Sequence, residues 1–214
     1  WDYSNSDIAW TCSQAGAMFR TTNGFASSQF VNTPFGAPFV WELEIHPTIP
    51  TTIFGGFNDI YRSTNRGTNW TNLNAKLPGC PKHAWIGQIE VSTLNPSEVF
   101  VVVNNYRMND WSAYLYHTSD NGLTWRRIVD DNDVDGFVCS VVQDTEVEDL
   151  LFLGTDVGLY FSLNHGGKWH KFEKGMPPVQ IRDMKIQSQF NDLVLGTFGR
   201  SFWVMDDITP LREM

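Results

Sequence analysis

The sequence predicts an all-β repeat fold, and three observations support this. An eight-residue pattern with a hydroxyl residue first, Asp or Asn third, Gly fifth and Trp eighth occurs three times, at 63–70, 118–125 and 162–169. Short β-rich segments alternate with turn residues and form five candidate hairpins. No stretch shows the 3.6-residue periodicity of an amphipathic helix. Repetition at intervals of a few tens of residues is typical of folds that stack one structural unit.

The composition of the eight-residue pattern indicates a stabilised turn between two strands. Asp120, like its counterparts Asn65 and Asn164, can accept hydrogen bonds from backbone amides further along the chain. The Gly supplies a positive φ that other residues adopt only at a cost. The Trp begins the next strand, and we expect its ring to be buried between neighbouring hairpins. Because the pattern holds no nucleophile, metal cage or acid–base pair, we interpret it as structural.

Five hairpins follow one another along the chain. Their strands are predicted at 8–12 and 16–20, 52–56 and 60–62, 99–103 and 114–117, 150–155 and 159–161, and 193–197 and 202–204. An additional strand precedes each of the last four hairpins, at 40–45, 86–91, 137–142 and 181–186. An outer strand follows each repeat, at 71–73, 126–129 and 170–172. Four strands in about 45 residues is the organisation of a β-propeller blade.

The sequence therefore predicts about four to five blades in a single propeller segment. Their approximate limits are 1–38, 39–80, 81–134, 135–178 and 179–214. The interval from Trp70 to Trp125 is 55 residues and that from Trp125 to Trp169 is 44, because an extended loop at 104–112 lengthens the middle hairpin. The first unit lacks an inner strand and the last lacks an outer strand, and open sheet edges invite pairing. We expect a larger propeller, completed by the same polypeptide or by another chain.

Composition narrows the possible partners. The formal net charge is −9 and the isoelectric point is about 4.9, which argues against nucleic acid or an anionic membrane surface as a partner. No apolar run approaches the roughly 20 residues that a membrane span requires. The three cysteines, Cys12, Cys80 and Cys139, are an odd number and do not describe a disulfide framework.

The eight-residue unit resembles the Asp-box, or BNR repeat, of β-propellers in sialidases, xyloglucan-cleaving hydrolases and sortilin-like receptors. Two further stretches, 85–118 and 195–211, resemble the sortilin-like BNR propellers of large secreted bacterial proteins that are described as glycosyl hydrolases. Two of the repeats depart from the family by having Asn65 and Asn164 in place of Asp. The resemblance implies an extracellular or periplasmic location, with the boxes remote from the functional face.

The loops opposite the repeats are the predicted ligand-binding face. The candidate residues are Asn58, Asp59, His83, Trp85, Tyr106, Arg107, Asp156, Phe198 and Arg200. Aromatic rings mixed with carboxylates and amides suit a protein, peptide or polysaccharide ligand. The alternative is a set of ordinary polar loops that bind nothing.

Two hypotheses for the function remain open. The first is a non-enzymatic binding or assembly module, favoured because every repeated motif is structural. The second is a glycoside hydrolase, which needs two carboxylates about 5–10 Å apart across the scissile bond. Asp59 and Asp156 occupy equivalent hairpin loops and are the candidate catalytic pair, although residues in such loops are more often turn formers.

An acidic stretch before the fourth blade could bind calcium. Asp131, Asp133 and Asp135 lie at alternate positions and Gly136 follows, as in the first half of a calcium loop. The twelfth position is Val142, where a bidentate Glu would be needed. The alternative is a solvated acidic turn.

Overall fold

Five antiparallel β-sheets follow one another along the chain in the computed structural model, which describes residues 1–13, 17–34, 42–56 and 58–214. Each sheet is a meander in which sequential strands are neighbours. The predicted all-β propeller architecture is confirmed. Three sheets have four strands, and within the described residues the first and fifth have three.

The strands are numbered in chain order. The first sheet contains β1 (Ala9–Cys12), β2 (Met18–Thr21) and β3 (Gln29–Val31). The second contains β4 (Glu42–Ile45), β5 (Ile53–Gly56), β6 (Ile60–Ser63) and β7 (Thr71–Asn72). The third contains β8 (Trp85–Val91), β9 (Val99–Asn105), β10 (Asp110–Thr118) and β11 (Arg126–Val129). The fourth contains β12 (Val138–Gln143), β13 (Leu151–Thr155), β14 (Leu159–Ser162) and β15 (His170–Lys171). The fifth contains β16 (Ile181–Gln187), β17 (Asp192–Thr197) and β18 (Phe202–Met205), and a short helix, α1 (Thr209–Arg212), follows.

The prediction of an extended loop at 104–112 was wrong. Strand β9 continues to Asn105 and β10 begins at Asp110, so only a 3-10 turn at Tyr106–Met108 and one further residue separate them. The hairpin extends this far because Asn105 Nδ2 donates to Asp110 Oδ2 over 3.0 Å and the two residues pair in the sheet. Of the predicted strands at 16–20 and 40–45, residues 16, 40 and 41 lie outside the described residues.

The repeats form turns with the predicted chemistry. Asp120 Oδ1 accepts from the amide of Thr124 over 2.8 Å, and Thr118 Oγ1 accepts from the amide of Gly122 over 3.0 Å. The other two repeats make the same pair of bonds. Asn121 and Gly122 both have positive φ, which explains the Gly. The turns join the third and fourth strands of the second, third and fourth sheets.

The hydrophobic core is divided into layers between consecutive sheets. Trp125 of the third sheet packs with Phe54 and Leu73 of the second, and Trp169 of the fourth packs in a cluster with Val102 of the third. Strands β4, β8, β12 and β16 lie beside one another in that order, so each is the inner strand of its sheet. This succession of side-by-side sheets is the packing of propeller blades.

The two ends of the sheets are chemically different. The amide of Asn121 donates to Ser97 O and that of His165 to Asp149 O, so each of these repeat turns lies against the turn joining the first two strands of its own sheet. We call this end the repeat side. The opposite end, which carries the β9–β10 hairpin and its counterparts, is the hairpin side.

Candidate functional site

An aromatic cluster stands on the hairpin side where the third sheet meets the fourth. The Tyr106 ring stacks on Phe137 with centroids 4.6 Å apart, and Trp111 lies 5.8 Å from Phe137 and 6.1 Å from Tyr106. The Arg107 guanidinium lies 4.2 Å above the Trp85 ring and 4.8 Å from Tyr106. We call these five residues the aromatic platform.

The extended β9–β10 hairpin holds the platform. Asp110 accepts hydrogen bonds from Asn105, the amide of Ser112 and the hydroxyl of Tyr114. Burial raises the pKa of Asp110, but these bonds outweigh it and lower the pKa below its ordinary value, so the residue is a carboxylate at neutral pH. A network of charge-assisted bonds of this kind fixes the hairpin tip.

The platform is accessible although its base is buried. Phe137 is 3% exposed, whereas Trp111 is 55% exposed and the adjoining Met108 is 74% exposed. Three predicted ligand residues, Trp85, Tyr106 and Arg107, are thus brought together. Sequence reasoning missed Trp111 and Phe137, although an aromatic residue beside the tip of the longest hairpin was a usable signal.

Asp156 adjoins the platform. Its amide donates to Phe137 O over 3.2 Å, and its side-chain Oδ1 is buried with no hydrogen-bond partner among the described residues. Burial raises the pKa of Asp156. A Cβ added at Gly136 would lie 1.8 Å from that Oδ1, so the glycine makes room for the carboxyl group.

The other catalytic candidate, Asp59, is a turn residue with several partners. Its carboxylate accepts from Asn72 over 3.0 Å and also from Asn74 and Tyr61. Asp59 belongs to the second sheet and Asp156 to the fourth, and the third sheet stands between them.

Asp59 and His83 line a separate hollow of about 370 Å³. Cys80 and Lys82 also line it, and His83 is exposed with a positive φ of 58°. Asn58 is half-buried next to Asp59. The hollow thus contains two residues of the predicted face, Asp59 and His83.

Phe198 and Arg200 lie on the fifth sheet. Phe198 is 70% exposed, its amide donates to Gln180 O, and Arg182 lies 5.8 Å from its ring centroid. Arg200 is exposed, and its carbonyl accepts from Trp203 Nε1 over 3.1 Å. A second exposed aromatic–cation pair therefore stands on the next sheet.

The three calcium candidates make bonds with different parts of the protein. Asp131 Oδ1 accepts from the amide of Ala113, and Asp133 Oδ2 accepts from the amide of Asp130. Asp135 Oδ2 lies 2.8 Å from Lys171 Nζ. Each carboxylate thus already has a donor, and calcium binding here stays a prediction.

The inner strands carry an acidic hollow of about 360 Å³. Glu44, Glu90, Asp183 and Lys185 are among its lining residues. Burial, with a further contribution from the charge of Glu90, raises the pKa of Glu44 to about 7. Burial also raises the pKa of Glu90. Glu44 is therefore partly protonated near neutral pH.

No protein-family model matches the sequence, and no curated protein matches it. Solved structures do. The chain is similar to the GH74 xyloglucanase from Xanthomonas campestris, with a TM-score of 0.72 and 14% identity over 97% of this chain and 36% of that one. It is similar to the extracellular domain of BT4673 from B. thetaiotaomicron, with a TM-score of 0.67 and 16% identity over 95% of this chain and 25% of that one. It is also similar to YCF48 bound to D1 peptide, with a TM-score of 0.61 and 15% identity over 96% of this chain and 65% of that one.

These similarities define the fold class. The chain folds as a segment of a β-propeller, and it spans only about a third of the GH74 xyloglucanase. Propellers with this fold include a hydrolase and a protein seen with a bound peptide. At such identities the similarity concerns the fold alone. In the described residues, no helix is both long and apolar enough to cross a membrane.

Proposed function

We propose that this chain is a non-enzymatic binding module that engages a protein or peptide through the aromatic platform. The observation that carries the proposal is the composition of the exposed hairpin tip, where Tyr106, Arg107, Met108 and Trp111 are consecutive or nearly so. These residue types are enriched in protein interfaces, and Trp, Tyr and Arg dominate their hot spots.

The charge of the platform favours a peptide with acidic residues beside aromatic or proline rings. The Arg107 guanidinium lies against the Trp85 and Tyr106 rings, and within the described residues its N–H groups donate no hydrogen bond. A carboxylate can accept from these N–H groups in the plane of the guanidinium. Trp111 and Met108 offer the apolar surface beside it.

We infer that the chain is one propeller segment with blades at about 1–38, 39–80, 81–134, 135–178 and 179–214, which assembles with further blades. The Asp-box pattern supports a sortilin-like BNR propeller and with it an extracellular or periplasmic location. The residues outside the platform, among them Asn58, His83, Phe198 and Arg200, would extend the contact surface for a large partner.

A peptide-binding assay tests the platform. Short immobilised peptides carrying Asp or Glu next to Tyr, Phe or Pro are compared with the same peptides carrying Lys instead. We expect Trp111→Ala to weaken binding by about 30-fold, the effect of losing a hot spot of roughly 2 kcal/mol. Arg107→Ala should remove the preference for acidic peptides.

Phe190→Ala is the matched control. Phe190 is an aromatic residue of similar exposure, 64%, in the turn between β16 and β17 on the repeat side. Its loss should leave binding unchanged. Equal binding by Trp111→Ala and Phe190→Ala would overturn the platform as the binding site.

The alternative is a glycoside hydrolase, and one observation favours it. Asp156 has a raised pKa and a buried, unpartnered oxygen beside an aromatic surface, as a general acid requires. Reducing-sugar release from xyloglucan tests it, with Asp156→Asn and Asp59→Asn as variants. Hydrolysis by the wild type that Asp156→Asn abolishes would replace the first proposal. Absence of hydrolysis would remove the alternative.

A further inference from the structure

Two imidazoles and a carboxylate converge on the repeat side, where the third sheet meets the fourth. Glu98 Oε1 lies 2.6 Å from His117 Nε2 and 2.8 Å from His165 Nε2, and the two Nε2 atoms are 3.3 Å apart. The side chains of Glu98 and His117 are 3% and 5% exposed and that of His165 is 17% exposed. In the described part of the chain, this is the one group of three such ligand atoms within 4.8 Å of one another.

Comparison of the blade junctions shows that the fold does not require this cluster. At the first junction Arg20 donates to the carbonyl of Arg66 in the next sheet over 2.8 Å, and at the second Arg62 donates to the carbonyl of Asn121. These arginines immediately precede the hydroxyl residue of their turn. At the third junction the corresponding residue is His117.

The other two members also depart from their counterparts. His165 occupies the turn position of Arg66 and Asn121. Strand register places Glu98 at the position that is Thr52 in the second sheet and Leu150 in the fourth. Three residues that differ from their counterparts in the other sheets are therefore in contact at the third junction.

We propose that Glu98 Oε1 and the Nε2 atoms of His117 and His165 bind a zinc ion. Two histidines and a carboxylate are an established zinc ligand set, with the fourth position left to water or a further ligand. Tetrahedral bonds of about 2.0–2.1 Å place neighbouring ligand atoms about 3.3 Å apart. The two imidazole nitrogens already have that separation, and the carboxylate oxygen needs to withdraw by about 0.5–0.7 Å to reach it.

Neighbouring groups orient two of the three ligands. His165 Nδ1 lies 3.1 Å from Glu148 O, and because a carbonyl only accepts, Nδ1 donates to it and Nε2 is the nitrogen that faces the proposed metal position. The proton that lies between Nε2 and Glu98 Oε1 without a metal leaves when zinc binds. Gln143 Nε2 donates to Glu98 Oε2 over 3.0 Å, which turns Oε1 toward the imidazoles. The Phe100 ring, 5.0 and 5.8 Å from the two imidazoles, holds both rings in place.

The remaining contact gives the proposal a specific consequence. Arg126 Nε donates to His117 Nδ1 over 3.0 Å, so without a metal the His117 proton is on Nε2. To bind zinc through Nε2, His117 must carry its proton on Nδ1 instead, and Arg126 must break its hydrogen bond to Nδ1. Arg126 is exposed and can turn into solvent. Removal of the competing guanidinium should therefore strengthen zinc binding.

Calorimetry with Zn²⁺ and visible absorption with Co²⁺ test the site on the whole chain. We expect one ion per chain and, with Co²⁺, the intense absorption of a tetrahedral site. His165→Asn should weaken binding by about a hundred-fold or more, since even second-shell losses cost 10–100-fold. Asn is suited to this position because Asn121 adopts the same left-handed conformation in the third sheet. Glu98→Gln, which keeps the side-chain shape, should do the same, whereas Arg126→Ala should tighten binding.

His83→Asn and His170→Asn are matched controls, because both histidines are exposed and lie away from the junction. Zn²⁺ should raise the midpoint of thermal unfolding of the wild type and of both controls, but not of His165→Asn. Circular dichroism of the metal-free variants verifies folding. Absence of binding to the wild type, or binding that is lost in a control and kept in both His165→Asn and Glu98→Gln, overturns the site.

Discussion

Replacement of Asp120 measures how much a repeat turn contributes to stability. Its carboxylate accepts from the amides of Leu123 and Thr124 over 2.9 and 2.8 Å, and from the hydroxyls of Thr118 and Thr124 over 2.7 and 2.6 Å. A typical hydrogen bond contributes about 1 kcal/mol net, and more when one partner is charged. Because Leu123 and Thr124 are exposed, water replaces part of what is lost. Asp120→Ala should therefore reduce the free energy of unfolding by about 2 kcal/mol.

The other repeats supply the control for this experiment. Asn65 Oδ1 accepts from the amide of Asn69 over 2.8 Å, and Asn164 Oδ1 accepts from that of Lys168 over 2.8 Å. An amide therefore keeps the backbone bonds but loses the charge, and Asp120→Asn should cost about 1 kcal/mol, less than Asp120→Ala. Urea unfolding at neutral pH compares the two variants with the wild type. If Asp120→Asn destabilises as much as Asp120→Ala, the two backbone hydrogen bonds that an amide oxygen can keep contribute nothing, and the hydrogen-bond account is refuted.

The pH dependence of the same difference gives a second check. Burial raises the pKa of Asp120, but its hydrogen bonds outweigh burial and hold the pKa at about 2, against 3.8 ordinarily. A depressed carboxyl pKa stabilises the folded state above the unfolded pKa, and the stabilisation is lost as the pH falls from about 4 towards 2. The gap between wild type and Asp120→Ala should therefore narrow over that range. A constant gap would contradict the assignment.

Two further predictions concern a glycine and a carboxyl group. Gly136→Ala should destabilise by about 1–3 kcal/mol, because the new Cβ would lie 1.8 Å from Asp156 Oδ1 and φ is +74°. Gly175→Ala is its control, since φ there is +85° and nothing lies within 4 Å, so a loss of thermal stability near 1 kcal/mol reports the backbone alone. Burial first and Glu90 second raise the pKa of Glu44 to about 7, so the cost of ionising this carboxyl group in the folded state grows as the pH rises from 4.5 to 7. In denaturant titrations, Glu44→Gln should therefore stabilise the protein by about 1–3 kcal/mol at pH 8 and by little below pH 4.5. A stabilisation that does not change with pH would show that Glu44 ionises normally in the folded state.

Features that depend on local chemistry could be predicted from the sequence alone. The turn at Asp120 follows from residues within one octapeptide, and the propeller follows from its repetition. The grouping of Trp85, Tyr106 and Arg107 was predicted only as membership of a common face. The stacking of Tyr106 on Phe137 could not be predicted, because it depends on how closely the third and fourth sheets approach.

Features formed by residues far apart in sequence were not predictable. Glu98, His117 and His165 are separated by 19 and 48 residues, and none belongs to a motif with metal-ligand spacing. They become visible only when corresponding positions of successive sheets are compared in three dimensions. Asp131 and its acidic neighbours are the reverse case, in which the sequence suggests a site whose residues the fold uses separately. The alternating carboxylates suggest a calcium loop in sequence, yet the fold directs each of them to a different donor.

The two proposed sites act on the same blade junction from opposite ends. On the hairpin side Tyr106 stacks on Phe137, and on the repeat side Gln143 and His165 bond to Glu98. Each contact joins the third sheet to the fourth across the apolar layer between them. A binding surface shared by two blades keeps its shape only if the blades cannot slide, because a ligand site must hold its groups within about half an ångström. A zinc ion at the repeat side would restrain that sliding, which gives the metal a structural purpose that does not require it to touch the ligand.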